Sequence, residues 1–126
     1  MMKKIIAFLV IAIMLVPTVA LAGTGTYNST YSFTGGLYSK TIAMNKNRNV
    51  KVTTTPDKNN SPDANKMNIY LQRKGFWGWG TVSSSWNNAK KQDTCNLYTT
   101  DEGSYRIYFQ AAPSGYRYSG SVKIVY

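Results

Sequence analysis

Apolar and polar residues alternate along this chain in short runs, each closed by glycine, asparagine, serine or proline. A period of two gives an extended strand one face for a core and one for water, and it constrains the fold more than any other feature. Met67, Ile69 and Leu71 share one parity, opposite Asn68, Tyr70 and Gln72. Comparable runs span Tyr27 to Phe33, Tyr38 to Met44, Thr81 to Trp86, Thr94 to Tyr98, Tyr105 to Phe109 and Arg117 to Tyr126, and Val50 and Val52 open another. The polar stretch 45–49, the loop from Thr55 to Lys66 with Pro56 and Pro62, Asp101-Glu102-Gly103 and the segment around Pro113 punctuate them. No segment keeps a helical period. The spacing predicts an all-β fold, an antiparallel β-sandwich (jelly-roll or Ig-like) of about eight strands, with a small barrel as the alternative closure.

The first 22 residues stand apart. Lys3 and Lys4 precede an apolar run from Ile5 to Val16, then Pro17 and the small-x-small triplet Ala20-Leu21-Ala22. This is the layout of a cleaved secretory signal peptide, and the run is too short for a comfortable membrane span of about 20 residues. The expectation is a signal peptide at 1–22 and one secreted domain at 23–126, extracellular or cell-wall associated, with no transmembrane segment. No cysteine follows the cleavage site to carry a lipid anchor. Cys95 is the only cysteine, so no intrachain disulfide forms and the expected monomer relies on its core. Beyond residue 22 there are 13 Lys+Arg against 5 Asp+Glu, a net charge of +8. Outside a cell, that charge favours anionic envelope polymers, acidic polysaccharides or lipid surfaces over intracellular nucleic acid. It also serves plain solubility.

Composition excludes much chemistry. The chain has no histidine, which removes Ser-His-Asp and Cys-His systems and the usual zinc sites. The five acidic residues, Asp57, Asp63, Asp93, Asp101 and Glu102, all fall in turns or loops. No nucleophile, base and orienter assemble from them, so a non-enzymatic protein without cofactor is expected. Asp57, Asn59, Asn60, Asp63 and Asn65 make an oxygen-rich loop, but two carboxylates beside Lys58 and Lys66 suit a solvated turn better than calcium. Cys95 shares parity with Leu97 and reads as a small buried hydrophobe.

Two constellations point to binding. In Arg73-Lys74-Gly75-Phe76-Trp77-Gly78-Trp79-Gly80, three aromatics crowd a turn behind two cations, with glycines between them. Such rings stack on sugars or sit at headgroup level in a membrane, with the cations meeting negative charge. The plainer role is that Phe76 and one tryptophan cap the end of the core. Separately, Tyr70, Tyr98, Tyr108, Arg106 and Lys123 lie on outward parities. On neighbouring strands they would form a tyrosine-and-cation face able to stack on sugars and pair with anions; simple cross-strand packing is the alternative. The sequence thus suggests a secreted basic binding protein for an anionic envelope component or polysaccharide. Arg73, Lys74, Phe76, Trp77, Trp79, Arg106, Tyr70 and Tyr108 are the candidate contacts. A membrane-active antimicrobial or toxin-like protein, and an inhibitor or protein-binding module, are the rivals.

The order Met67-Asn68-Ile69-Tyr70-Leu71-Gln72, Gly103-Ser104-Tyr105-Arg106-Ile107-Tyr108 and Tyr118-Ser119-Gly120-Ser121-Val122-Lys123-Ile124 resembles the closing strands of bacterial pre-peptidase C-terminal domains. The acidic residues of that family's first motif are missing, with Asn68 in their place. The resemblance implies a jelly-roll-like sandwich with an accessory, non-catalytic role, and implies nothing about ligand.

Overall fold

The alternation becomes nine strands in two antiparallel sheets in the computed structural model, which describes residues 25–58 and 60–126. The expected signal peptide and its cleavage site lie outside the described residues, as does Asn59. The strands are β1 (Thr26–Phe33), β2 (Gly36–Tyr38), β3 (Ile42–Met44), β4 (Asn49–Pro56), β5 (Lys66–Gly75), β6 (Gly78–Asn88), β7 (Asp93–Tyr98), β8 (Gly103–Ala112) and β9 (Tyr118–Val125). One sheet runs β1-β9-β4-β7; the other runs β2-β8-β5-β6, with β3 also paired to β8. No helix among the described residues is long and apolar enough to cross a membrane.

The single strand expected over Tyr38 to Met44 is instead two short ones, which raises the count from about eight to nine. Both pair with β8, but Tyr38 faces Tyr108 while Ile42 faces Tyr105, so one extra residue sits on this edge. Ser39 fills the gap: its backbone N–H donates to the Ile107 carbonyl, and its Oγ accepts from the Ile107 N–H, both at 2.8 Å. A second bulge interrupts the β5–β6 ladder. Leu71 faces Ser83 and Gln72 faces Thr81, which leaves Val82 unpaired.

Inward-facing residues of both sheets form one core. Val50, Val52, Leu97 and Ile124 meet Met67, Ile69, Leu71 and Ile107, all fully buried. Burying each such side chain contributes roughly 1.5–3 kcal/mol. Two large phenols are buried with their hydroxyls satisfied. Tyr118 donates to the Pro113 carbonyl at 3.0 Å and accepts from the Asn65 N–H at 3.2 Å. Tyr105 donates to the Asp101 carbonyl and accepts from the Thr100 N–H. Phe33 stacks on Tyr118 at 5.6 Å between centroids.

The two sides of the sandwich differ. Where β6 meets β7, the sheets are laced together: the Tyr98 N–H donates to Ser83 Oγ at 3.1 Å. Buried Asn87 reaches the Val52 and Asp93 carbonyls through Nδ2. Where β1 faces β2, a cleft of about 220 Å³ remains between the sheets, with Leu37, Phe109 and Ile124 in its walls.

Candidate functional site

The outward face of the five-stranded sheet carries the side chains that the pleat turns away from the core. Tyr38, Tyr108 and Tyr70 are direct cross-strand neighbours on β2, β8 and β5, so one row of the sheet is three tyrosines wide. Their centroids lie 4.6 Å apart for Tyr38–Tyr108 and 6.0 Å for Tyr70–Tyr108. A Cβ on Gly36 would overlap the Tyr108 hydroxyl, so a side chain there would displace that ring.

One row along, Arg106 is clamped between two rings. Its guanidinium carbon lies 3.9 Å from the Tyr38 centroid and 4.4 Å from that of Trp79. Nε donates to Gln72 Oε1 at 2.8 Å. Cation–π contact with two rings and a hydrogen bond at Nε hold the guanidinium, and its terminal nitrogens remain as donors for a planar anion. Amide groups complete the surface. Gln110 Oε1 accepts from the Tyr70 hydroxyl at 3.2 Å and from Asn68 Nδ2 at 3.4 Å.

The Val82 bulge brings Trp86 to this face. Trp79 and Trp86 have opposite parity in the sequence, yet one added residue between them turns both outward. Trp86 is 53% exposed, with Lys66 Nζ 5.5 Å from its ring. None of the five strands of this sheet contains Asp or Glu. Lys66, Lys74 and Arg106 therefore face outward with no carboxylate beside them on the sheet.

Of the residues expected from sequence, Tyr70, Tyr108, Arg106 and Trp79 come together here, with Lys74 paired to Trp79 at the rim. Arg73 does not join them. It shares the inward parity of Leu71, and its Nη2 donates to the Glu102 carbonyl at 2.9 Å. Tyr98 and Lys123 lie on β7 and β9, in the other sheet, so the expected common tyrosine face excludes them. Phe76 and Trp77 cap no core: they are the two residues of the β5–β6 turn, 90% and 95% exposed. Gly78 supplies the positive φ of +129° that closes the turn. Tyr38, Trp86, Gln72 and Gln110 were not anticipated. The parity of Gln72 with Tyr70 was readable, whereas the positions of Tyr38 and Trp86 depend on bulges.

Other polar groups are used structurally. In the oxygen-rich loop, Asn60 is stapled to β9: its Nδ2 donates to the Ser119 carbonyl, and its Oδ1 accepts from the Ser119 N–H, both at 2.9 Å. Cys95 is buried, and burial is the main cause that pushes its thiol up to about 11; the Asp93 charge adds to this and a Ser85 hydrogen bond opposes it. It is a core side chain, as expected. Burial likewise raises the Tyr31 phenol, with the Asp57 charge as a lesser cause.

No known protein family matches the chain, and no curated protein sequence does. Among solved structures it is similar to PirA, with 18% identity over 79% of this chain and 93% of that one, at a TM-score of 0.51. It also aligns with a carbohydrate-binding module specific for non-crystalline cellulose (12% identity, 79% and 71% covered, TM-score 0.45). A third match is PliG, a periplasmic inhibitor of g-type lysozyme from Aeromonas hydrophila (10% identity, 82% and 85% covered, TM-score 0.43). The likeness to PirA is one of fold.

Proposed function

We propose that this is an exported, non-catalytic binding domain that recognises an acidic polysaccharide on the outward face of its five-stranded sheet. The observation that carries this reading is the guanidinium of Arg106, held between Tyr38 and Trp79 on strands that lack any carboxylate. Flat rings stack on pyranose faces, and amides such as Gln72 and Gln110 exchange hydrogen bonds with hydroxyls. A guanidinium held in this way accepts a carboxylate or sulfate in two-point contact. The net charge of +8 beyond residue 22 accelerates encounter and makes it salt-dependent.

Affinity electrophoresis and calorimetry with polygalacturonate, against neutral dextran, test the reading. Retardation by the acidic polymer alone is expected, weakened at least tenfold in Arg106→Ala. Indifference to every acidic polymer tried, or equal binding by the variant, overturns it.

A further inference from the structure

The β5–β6 hairpin outruns the sheet that carries it. Pairing between β5 and β8 ends at Arg73–Tyr105, whereas β5 and β6 continue through Lys74–Trp79 to Gly75–Gly78. Phe76 and Trp77 therefore stand on a projection, in edge-to-face contact with each other at 4.9 Å. Glycines at 75, 78 and 80 add no bulk around them. Beside the apex lies an open groove of about 430 Å³, walled by Trp77, Trp79 and Thr100. Leaving two large rings in water is unfavourable, and nothing else in the fold requires them there.

The geometry points to a second binding site at this tip, for the interface of an anionic phospholipid bilayer. A specific protein partner needs about 800 Å² of complementary surface on each side. Two apex residues flanked by glycines, with one open groove beside them, do not make so broad a surface. A headgroup layer moulds itself to any convex shape, and tryptophan and phenylalanine partition into it. Lys74 is exposed next to the apex. Lys46 and Arg48 are in the turn tied to the neighbouring loop, where Asn47 N–H donates to the Thr100 carbonyl and Arg48 N–H to Thr99 Oγ1. Asp101 and Glu102 lie in the loop that Arg73 and this turn contact through hydrogen bonds, so these segments together carry four Lys or Arg against two carboxylates. The positive balance matches an anionic surface, to which each cation near the headgroups adds attraction. Trp79 and Lys74 stand where the tip borders the sheet face, whereas Phe76 and Trp77 belong to the tip alone.

Co-sedimentation of the 23–126 protein with vesicles of 30 mol% phosphatidylglycerol in phosphatidylcholine, against pure phosphatidylcholine, tests this. Wild type is expected to partition into the anionic vesicles, and Phe76→Ser with Trp77→Ser to reduce the partition at least tenfold. Arg106→Ala is expected to retain vesicle binding, which separates this site from the polysaccharide face. Thermal unfolding of the double variant, unchanged because both positions are exposed, confirms that the loss is not misfolding. Absence of vesicle binding overturns the assignment. So does binding that survives the double substitution, which would be adsorption by charge alone.

Discussion

The two sheets share a core and a pleat, yet their outward faces are built from different residues. On the four-stranded sheet the outward positions are Thr26, Asn28, Thr30 and Ser32 on β1, Asn49, Lys51, Thr53 and Thr55 on β4, Thr94, Asn96 and Tyr98 on β7, and Ser119, Ser121, Lys123 and Val125 on β9, so Tyr98 is the one aromatic ring among them. Most of them stand exposed, joined at most by short links such as the 2.8 Å hydroxyl contact between Thr53 and Thr94. On the five-stranded sheet, the outward residues of β5 and β8 other than Lys74 at the rim are only half-exposed, because large side chains lie over one another. β-Branched and small polar residues are sufficient to dress a solvated sheet. The stacked rings and the guanidinium held among them exceed that need, and this excess is the ground on which binding is proposed for this sheet rather than the other.

The contrast breaks if erasing the two faces has the same effect. The largest expected change comes from Tyr70→Ala with Tyr108→Ala, which removes two rings of the central row. Aromatic contacts of this kind are worth about 1–3 kcal/mol each, so affinity for polygalacturonate should fall roughly a hundredfold. On the opposite face, Thr53→Ala with Lys123→Ala should change affinity less than about threefold, the small effect of one rim charge. Calorimetry on both pairs decides the matter; comparable losses would mean that the polymer wraps the domain.

A finer test leaves every contact residue in place. Gly36→Ala puts a methyl where the Tyr108 hydroxyl lies, so that ring must move. Affinity should drop by about three- to tenfold, while thermal stability stays close to wild type. Unchanged affinity would show that the Tyr108 ring position does not matter.

The smallest effect is on the inner side of the four-stranded sheet. The Cys95 thiol ionises near its ordinary value of 9.0 when unfolded and near 11 when folded. Between those values the folded protein keeps a proton that the unfolded chain has lost, so this group makes stability fall as pH rises from 9 to 11, and no further above. Chemical denaturation across that range should show a steeper decline for wild type than for Cys95→Ala. At pH 8 the native thiol should resist a disulfide reagent that labels the unfolded chain rapidly. Parallel curves, or equal labelling, would place Cys95 at the surface.

The strand class, most strand positions and the buried parities were legible because alternation is local. Met67, Ile69 and Leu71 could be assigned inward from six residues of sequence. What was not legible was which sheet each strand joins. Tyr98 and Lys123 have the outward parity of Tyr108, but pairing across the chain sends β7 and β9 to the other layer. Arg106 was identifiable as outward, but its partner Tyr38 was not, because the pairing of β2 with β8 spans about 70 residues of sequence. Arg73 looked like a companion of Lys74 by proximity alone; adjacent residues of a strand face opposite ways. The motifs that resemble pre-peptidase C-terminal domains fall on β5, β8 and β9, two adjacent strands and one in the opposite layer.

The unpaired Val82 has a consequence for how this hairpin can diversify. It works as a frame shift in the pleat: upstream of it odd positions look outward, and downstream even ones do. A relative that lost this residue would keep both tryptophans in its sequence, yet one of them would be driven into the core and the other left alone on the surface. Single-residue insertions and deletions between Trp79 and Trp86 should therefore be purged, while paired changes, which preserve the frame, are free to drift.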